Sequence, residues 1–527
     1  MLAEITIGVL TLFIVIYVYF QYQWRYFAKQ GVYFIKPSFP WGSVPAFFDK
    51  SEAANDVFLK HAKEVGNMPF YGIYVLRKPM FVIKDAELVR HICVKDFDHF
   101  VDRAGEKFGN FFKTQSRSDH LWASQISNAR GELWKNLRST FSPIFTSGKM
   151  KAMMIFMQET MSRLMNELDG FAKSGESFEL KDSMGKYSMD TIASCAFGVD
   201  SQSFTNKNSL FAKFASNIFA QRVSDGLKIL MVTLIPYGVQ ILNALKISVS
   251  KETETEFFYE AIMSSLRERR KSKNRRNDLV DLMMDAIKGD IEHDKDGEDD
   301  QFEKDAKLNH VSKRDEFDEL TIVATAIVIL VAGYDTTGTT LAYVCYQLAK
   351  NPEVQNRLRD EVLEITNDSD RDLTYDDLNK MTYMDQVISE TLRFHNPVSV
   401  LQRYTLKDYK IPGTEVVIPK DIGIFISTVA VHMDPKNYAN PHKFDPEHFS
   451  KKGKASRSPY AFLPFGQGPR NCLGMRFALL EAKLALANIV RNYNLIPSEK
   501  TKEPLELDPK AAIGYVKGGL FIKAEKL

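Results

Sequence analysis

Cysteine is scarce in this 527-residue chain, and its arrangement excludes much. The four residues, Cys93, Cys195, Cys345 and Cys472, lie far apart with no CxxC spacing. That argues against a disulfide framework or a zinc ribbon and for a reducing compartment. Ten histidines form no HExxH pair, which removes the zinc-peptidase reading. Charge of one sign is also missing: the formal net charge is +2, so there is no global nucleic-acid signal. No Gly-rich dinucleotide fingerprint occurs, so the chain does not bind its own nicotinamide cofactor by that route. What remains is 44% hydrophobic and 26% charged, the composition of a globular protein. Length alone predicts two or more domains.

The first feature along the chain is an apolar run from Ile5 to Phe20, which with Leu2 and Ala3 approaches the ~20 residues needed to span a bilayer. A cleaved signal would want basic residues before the run and small residues after it. Here Glu4 is the only charge before it, and Tyr17, Tyr19, Phe20, Tyr22 and Trp24 suit a membrane interface. Arg25, Lys29 and Lys36 follow, so the positive-inside rule places the main body in the cytosol. This divides the chain into an anchor at 1–24, a stiff Pro-containing hinge at 25–45 and a main domain at 46–527. Within that domain Phe70 to Arg77 and Met80 to Lys84 read as a hairpin with Lys78-Pro79 between the strands. Beyond it the pattern is mostly helical.

Several stretches carry weaker signals. Trp134 and Arg138 lie one helical turn apart, an indole N–H beside a guanidinium, a fork suited to a carboxylate. Phe108, Phe111 and Phe112 form an aromatic cluster. Lys228 to Leu245 is apolar but short for a span and is interrupted by Pro236 and Gly238. Both an interfacial element and a buried helix fit it. The basic run Arg267 to Arg276 and the acidic stretch Asp290 to Glu303 read as solvated faces, and 289–315 as a poorly ordered loop with too few apolar residues to pack.

Three further stretches carry chemistry. From Leu320 to Thr337 the sequence is apolar on all sides and ends in Ala332-Gly333-Tyr334-Asp335-Thr336-Thr337. That predicts a helix buried in the core, with a carboxylate able to move protons and a hydroxyl able to donate one. Glu390-Thr391-Leu392-Arg393 places a glutamate and an arginine on one side of a helix. Last, Phe465-Gly466-Gln467-Gly468-Pro469-Arg470-Asn471-Cys472-Leu473-Gly474 wraps a single cysteine in a glycine-rich loop. A helix beginning at Met475 follows it. A helix N-terminus lowers a thiol pKa and so favours a thiolate ligand.

Taken in order, the anchor, WxxxR, AGxDTT, ExxR, a PExF variant and FxxGxRxCxG make the chain resemble a microsomal cytochrome P-450. The run Phe141 to Met150 makes the resemblance closest to the arthropod xenobiotic-metabolising members. The implied fold is one mainly α-helical domain with smaller β-sheets, preceded by a single transmembrane helix. That replaces the two-domain expectation from length.

The resemblance implies haem b with Cys472 as axial ligand to its iron. It implies Trp134, Arg138, Arg403 and Arg470 around the haem carboxylates, and Phe465 and Gly333 against the macrocycle. Asp335 and Thr336 are the implied catalytic pair, with Glu390 and Arg393 structural. The third structural position, usually arginine in Pro-Glu-Arg-Phe, is His448 in Pro446-Glu447-His448-Phe449, which lacks the planar fork. Ala332, Val398, Val400, Leu401 and the Phe108, Phe111, Phe112 cluster are expected at the substrate pocket. The implied activity is monooxygenation of lipophilic small molecules at the endoplasmic reticulum membrane. Electrons would come from an NADPH-dependent cytochrome P-450 reductase, with cytochrome b5 as a second donor. Lys135 and Arg470 are expected on the docking face. A haem-thiolate isomerase or dehydratase shares the loop but commonly lacks the acid–threonine pair. A haem-bound carrier or sensor is the non-enzymatic alternative.

Overall fold

The computed structural model describes residues 1–105, 114–206, 209–220, 223–235, 237–271, 275–276, 278–288, 301–308, 318–369, 371–511 and 513–527. Eight helices position the site: α1 (Leu2–Gln23), α2 (Gly131–Phe141), α3 (Ser147–Ser174), α4 (Leu180–Phe197), α5 (Gln301–Ala306), α6 (Glu319–Lys350), α7 (Thr382–Phe394) and α8 (Met475–Asn492). The strands that matter are β1 (Phe70–Val75), β2 (Lys78–Ile83), β3 (Phe178–Glu179), β4 (Val400–Tyr404), β5 (Gly423–Ser427), β6 (Tyr493–Pro497) and β7 (Phe521–Lys526).

The core is the bundle of α3, α4, α6 and α8. Helix α3 contributes a stripe of Met150, Met153, Met154, Met157, Met161, Leu164 and Leu168, spacings that put every side chain on one face. Helix α6 is apolar all round, and most of it is buried, as its sequence predicts. Asp318 caps it by accepting from the Thr321 N–H at 2.9 Å. Helices α4 and α6 approach most closely where Gly338 meets Gly185: a Cβ on Gly338 would lie 3.1 Å from the Gly185 Cα.

A four-stranded sheet runs β1-β2-β5-β4, with β2 and β5 parallel and the other pairs antiparallel. The hairpin exists, but its turn is Leu76-Arg77 rather than Lys78-Pro79. Leu76 takes the left-handed conformation (φ 55°), and Pro79 sits inside β2, just before the pairing with β5 begins at Met80. Strand β7 pairs with β6 and β3, leaving Gly514 to Gly519 as a loop.

Helix α1 is exposed along its apolar length and first becomes buried at Phe20. The hinge is packed rather than free. Trp24 Nε1 donates to the Leu76 carbonyl at 2.9 Å, Ile35 N–H to Gly72 at 3.0 Å, and Gly72 N–H to Tyr33 at 2.8 Å. The Lys228 to Leu245 stretch forms two short helices, Val223–Leu234 and Gly238–Ala244. Ile235 and Leu245 are exposed there, as is Tyr237 at 76%, while Leu242 is buried against Val249, so the stretch has one exposed and one packed side. The basic run is not simply solvated: Arg269 bridges the buried Asp278 and Asp281.

Two glycines set the cysteine loop. Gly466 (φ 74°) and Gly468 (φ 71°) are left-handed, and a Cβ on Gly468 would fall 1.8 Å from the Cys93 carbonyl oxygen. Gly468→Ala is therefore expected to destabilise the domain by more than about 2 kcal/mol, read as a lower thermal midpoint and less haem retained. Gly31→Ala is the control: its φ is also positive but nothing lies within 4 Å of the added carbon. Equal effects of the two substitutions would refute the close-approach argument.

Candidate active site

Cys472 follows Asn471 at the end of the loop, and its N–H donates to the Phe465 carbonyl at 2.7 Å, closing the loop on itself. Gly474 is the N-cap of α8. Of the four cysteines, Cys472 alone has an accessible side chain. The Gly474 N–H and the Arg138 and Arg103 guanidiniums all favour its thiolate, yet burial outweighs them and pushes the thiol pKa up. The helix N-terminus thus does not by itself produce the expected thiolate. Coordination to a metal would complete the deprotonation.

Helix α2 holds this loop from one side. Arg138 donates from Nη1 to the Asn471 carbonyl at 2.9 Å and from Nη2 to Asn471 Oδ1. Arg470 lies over the Trp134 ring, 4.5 Å from its centroid. Its Nε, Nη1 and Nη2 donate to the carbonyls of Val101, Ile126 and Ala129 at 2.9, 3.1 and 2.7 Å. Arg470 is therefore first a staple between the loop and the segment before α2. At 2% exposure it is also not available to a docking protein, which corrects that expectation. Lys135 is 23% exposed and paired to Glu132 at 2.9 Å.

Arg403, fully buried on β4, donates from Nη1 to the Gln402 carbonyl at 2.8 Å, while its Nε has no acceptor. Arg103, which no motif marks, donates from Nη2 to the Arg470 carbonyl at 2.7 Å. Burial, first, pushes the pKa of all four arginines down; mutual repulsion adds to this for Arg103 and Arg470. Among the described residues none of the four forms an ion pair. Asp102, the nearest carboxylate with influence on Arg470, is taken by Arg130 and the Gly131 N–H, each at 2.9 Å. Three buried cations and the half-buried Arg103, without counter-ions among the described residues and beside an accessible cysteine, fit a dianionic ligand with a metal centre, and haem has that chemistry.

On α6 the Asp335 carboxylate is 1% exposed and fully partnered. Lys181 from α4 donates to Oδ1 at 2.7 Å and to the Asp335 carbonyl at 3.1 Å, and the Tyr515 hydroxyl donates to Oδ1. Lys181 also lies over the Tyr334 and Tyr515 rings, 5.2 and 5.1 Å from their centroids. Neither Lys181 nor Tyr515 is in a recognised motif. Thr336 donates to the Ala332 carbonyl at 2.8 Å. Gly333 packs against α4, a Cβ there meeting Ile192 at 3.3 Å.

Strand alternation separates the expected pocket residues. Leu401 lies beside Gly466 and Arg403 follows it on the same face of β4, whereas Val400 packs with the opposite cluster around Phe58 and Tyr71. Val400 thus lies on the face of β4 opposite Leu401 and Arg403, and Val398 is 40% exposed. Phe108, Phe111 and Phe112 lie outside the described residues.

Behind the loop, Arg393 and Glu390 form a fully buried two-bond pair, both contacts at 2.7 Å. Arg393 Nη1 also donates to the carbonyls of His432 and Pro441 at 3.1 and 2.8 Å. His448 takes the usual arginine position with Nδ1 3.1 Å from Glu390 Oε1 and Nε2 2.7 Å from the Ala439 carbonyl. Both neighbours are acceptors, so the doubly protonated imidazolium fits best, and the Glu390 hydrogen bond raises its pKa. His432 is the opposite case. Its Nε2 accepts the Leu463 N–H at 2.9 Å, and burial pushes its pKa down to about 3.

Comparison with known proteins agrees with this geometry. The fold and site are those of a haem-thiolate monooxygenase: the Cytochrome P450 family model matches residues 37–523. The chain belongs to the cytochrome P450 family. It is 33% identical to cytochrome P450 6k1 of Blattella germanica over 98% of this chain and 96% of that protein. It is also 33% identical to cytochrome P450 6B6 of Helicoverpa armigera over 97% and 96%. With cytochrome P450 6a2 of Drosophila melanogaster it shares 32% identity over 95% and 96%.

The His448 geometry gives a pH prediction. Its pKa is raised in the folded state, so its stabilising contribution is complete below the unfolded value of ~6.5 and is lost as pH rises through the folded value. His448→Arg is expected to keep or raise haem retention and to remove this loss of thermal stability on the alkaline side. A clear loss of the reduced carbon-monoxide spectrum in the variant would contradict it.

Proposed function

We propose that this enzyme oxidises lipophilic small molecules, xenobiotics or endogenous lipids, at the endoplasmic reticulum membrane. In this reading α1 is the single anchor and the catalytic domain faces the cytosol. Electrons come from an NADPH-dependent cytochrome P-450 reductase, with cytochrome b5 as a second donor. The carrying observation is the Asp335 site, a buried carboxylate next to a threonine hydroxyl and wired toward the surface through Lys181. The exposed apolar residues Leu227, Ile235, Tyr237 and Leu245 form a second surface suited to a lipid phase, from which such substrates would enter.

Haem b, when bound, would supply dioxygen activation and the electron push of an axial thiolate. Cys472 would hold it through Sγ, with Arg103, Arg138 and Arg403 toward its carboxylates and Arg470 fixing the loop that aims the sulfur. The remaining work falls to α6 and its neighbours. Lys181 and Tyr515 both donate to the Asp335 carboxylate; an unpaired carboxylate at that depth would cost several kcal/mol. Lys181, with a side chain 19% exposed, exchanges protons with solvent and passes them to Asp335. The Thr336 hydroxyl, released from the Ala332 carbonyl, would be free to donate a proton on the face of α6 it occupies. Its bond back to the preceding turn is the resting alternative.

Two variants test this. Cys472→Ala is expected to abolish the red-shifted thiolate spectrum of the reduced carbon-monoxide complex. Thr336→Ala is expected to divert NADPH-derived electrons to peroxide, measured as product formed per NADPH consumed. A fully coupled Thr336→Ala enzyme would contradict the proton-delivery role.

A further inference from the structure

A cavity of about 300 Å³ lies behind the cysteine loop, and none of its lining residues belongs to α6 or to the expected substrate pocket. Its apolar wall is built by Leu392 of α7, Met475 and Leu479 of α8, and Phe449, Phe462 and Phe465. Helix α5 adds Phe302, which is half-buried there. The rings are held in place: Phe449 and Phe462 pack with centroids 4.5 Å apart, and Arg457 lies over Phe449, 4.6 Å from its centroid.

The polar groups of the wall are almost all engaged within the protein. Asp385 pairs with Lys483 at 2.7 Å, and Asp305 Oδ2 accepts from the Tyr460 hydroxyl at 2.8 Å. Arg457 Nη1 donates to the Gly453 carbonyl at 2.7 Å, and Ser458 Oγ accepts the Tyr460 N–H at 3.4 Å. Gln467 Nε2 donates to the Phe462 carbonyl at 3.1 Å. Lys454 is exposed at the rim. Inside the rim this leaves the Ser389 hydroxyl of α7 as the one lining group without a side-chain hydrogen bond among the described residues. The lining carries Asp305 and Asp385 against Lys454 and Arg457, so it favours a ligand of neither sign. An apolar cavity of about 150 Å³ takes up benzene. The larger volume here suits two fused rings, and a single free hydroxyl suits a single oxygen acceptor.

We propose that this cavity is an effector site for an uncharged two-ring aromatic molecule bearing one carbonyl oxygen, to which the Ser389 hydroxyl donates. Phe465 belongs both to the cavity wall and to the loop, where its carbonyl accepts the Cys472 N–H at 2.7 Å. Met475 is the first residue of α8, directly after the Gly474 cap. A molecule filling the space behind these two residues supplies the dispersion contacts that an empty cavity forgoes and braces the loop that carries the cysteine. Occupation therefore slows haem loss from a position outside the substrate pocket, and the site stands whatever the substrate is.

The test uses the full-length, haem-loaded enzyme in detergent, saturated with 1-phenylimidazole to occupy the haem iron and the substrate side. Prodan, a neutral naphthyl ketone, is the probe, and equilibrium dialysis against protein-free micelles counts the molecules bound. One saturable molecule per chain is expected. Ser389→Ala should weaken its binding about three- to tenfold through loss of one hydrogen bond. Leu479→Trp, which fills the cavity, should abolish it. Both variants should keep the reduced carbon-monoxide spectrum; if Leu479→Trp loses it, Ser389→Trp fills the same cavity from α7 and carries the same expectation. Prodan should also slow haem transfer to apomyoglobin from the wild type but not from the filled variant. Undiminished binding in the filled variant, or no saturable binding once 1-phenylimidazole is present, would overturn the site. Binding that leaves the rate of haem loss unchanged would overturn the bracing role.

Discussion

The structure depends on a repulsion. Four arginines, Arg103, Arg138, Arg403 and Arg470, are drawn together around Cys472 without a carboxylate partner among the described residues. Burying even one charge without compensation costs several kcal/mol, so such a cluster persists only if carbonyl dipoles and an added anion hold it. The carbonyls are present: Val101, Ile126 and Ala129 accept from Arg470, and Asn471 from Arg138. These bonds fix the loop, while Arg403 keeps a donor unfilled. On the proposed reading, the same arrangement that positions the sulfur would receive the haem carboxylates.

The opposite sign of the problem is met on α6. Asp335 is a buried carboxylate, and Lys181 and Tyr515 donate to it directly. The two halves of the site therefore use different solutions. The cysteine side leaves cation charge for a ligand to meet, and the oxygen side closes its charge within the protein. Glu390 and Arg393 solve it a third way, by pairing completely and recruiting His448 as an imidazolium with an acceptor at each nitrogen.

Local spacing made much of this legible. Helix α6 could be read because an all-round apolar run ending in a carboxylate has few structural outcomes, and the cysteine loop because its glycines sit where side chains cannot. Arg103, Lys181 and Tyr515 were not legible as site residues, since each reaches its partner through chain topology: Tyr515 meets Asp335 across 180 residues. The spacing of Val400 and Leu401 did place them on opposite faces of a strand, but which face met the loop required the sheet order. Gly333 is a related case. A small residue signals close approach without saying whether a cofactor or a helix is approaching. Helix α5 escaped a compositional reading because one phenylalanine and one aspartate meeting prepared partners suffice to seat a short segment.

The central claim is that the buried arginines are completed by the carboxylates of the cofactor. It is tested most directly by titrating the haem-free protein with haem and with haem dimethyl ester, whose carboxylates are blocked, and following thermal stability. Haem is expected to bind far more tightly and to raise the thermal midpoint, with the ester giving a much smaller rise. Equal affinity and equal stabilisation by the two compounds would show that the arginine cluster answers to something else.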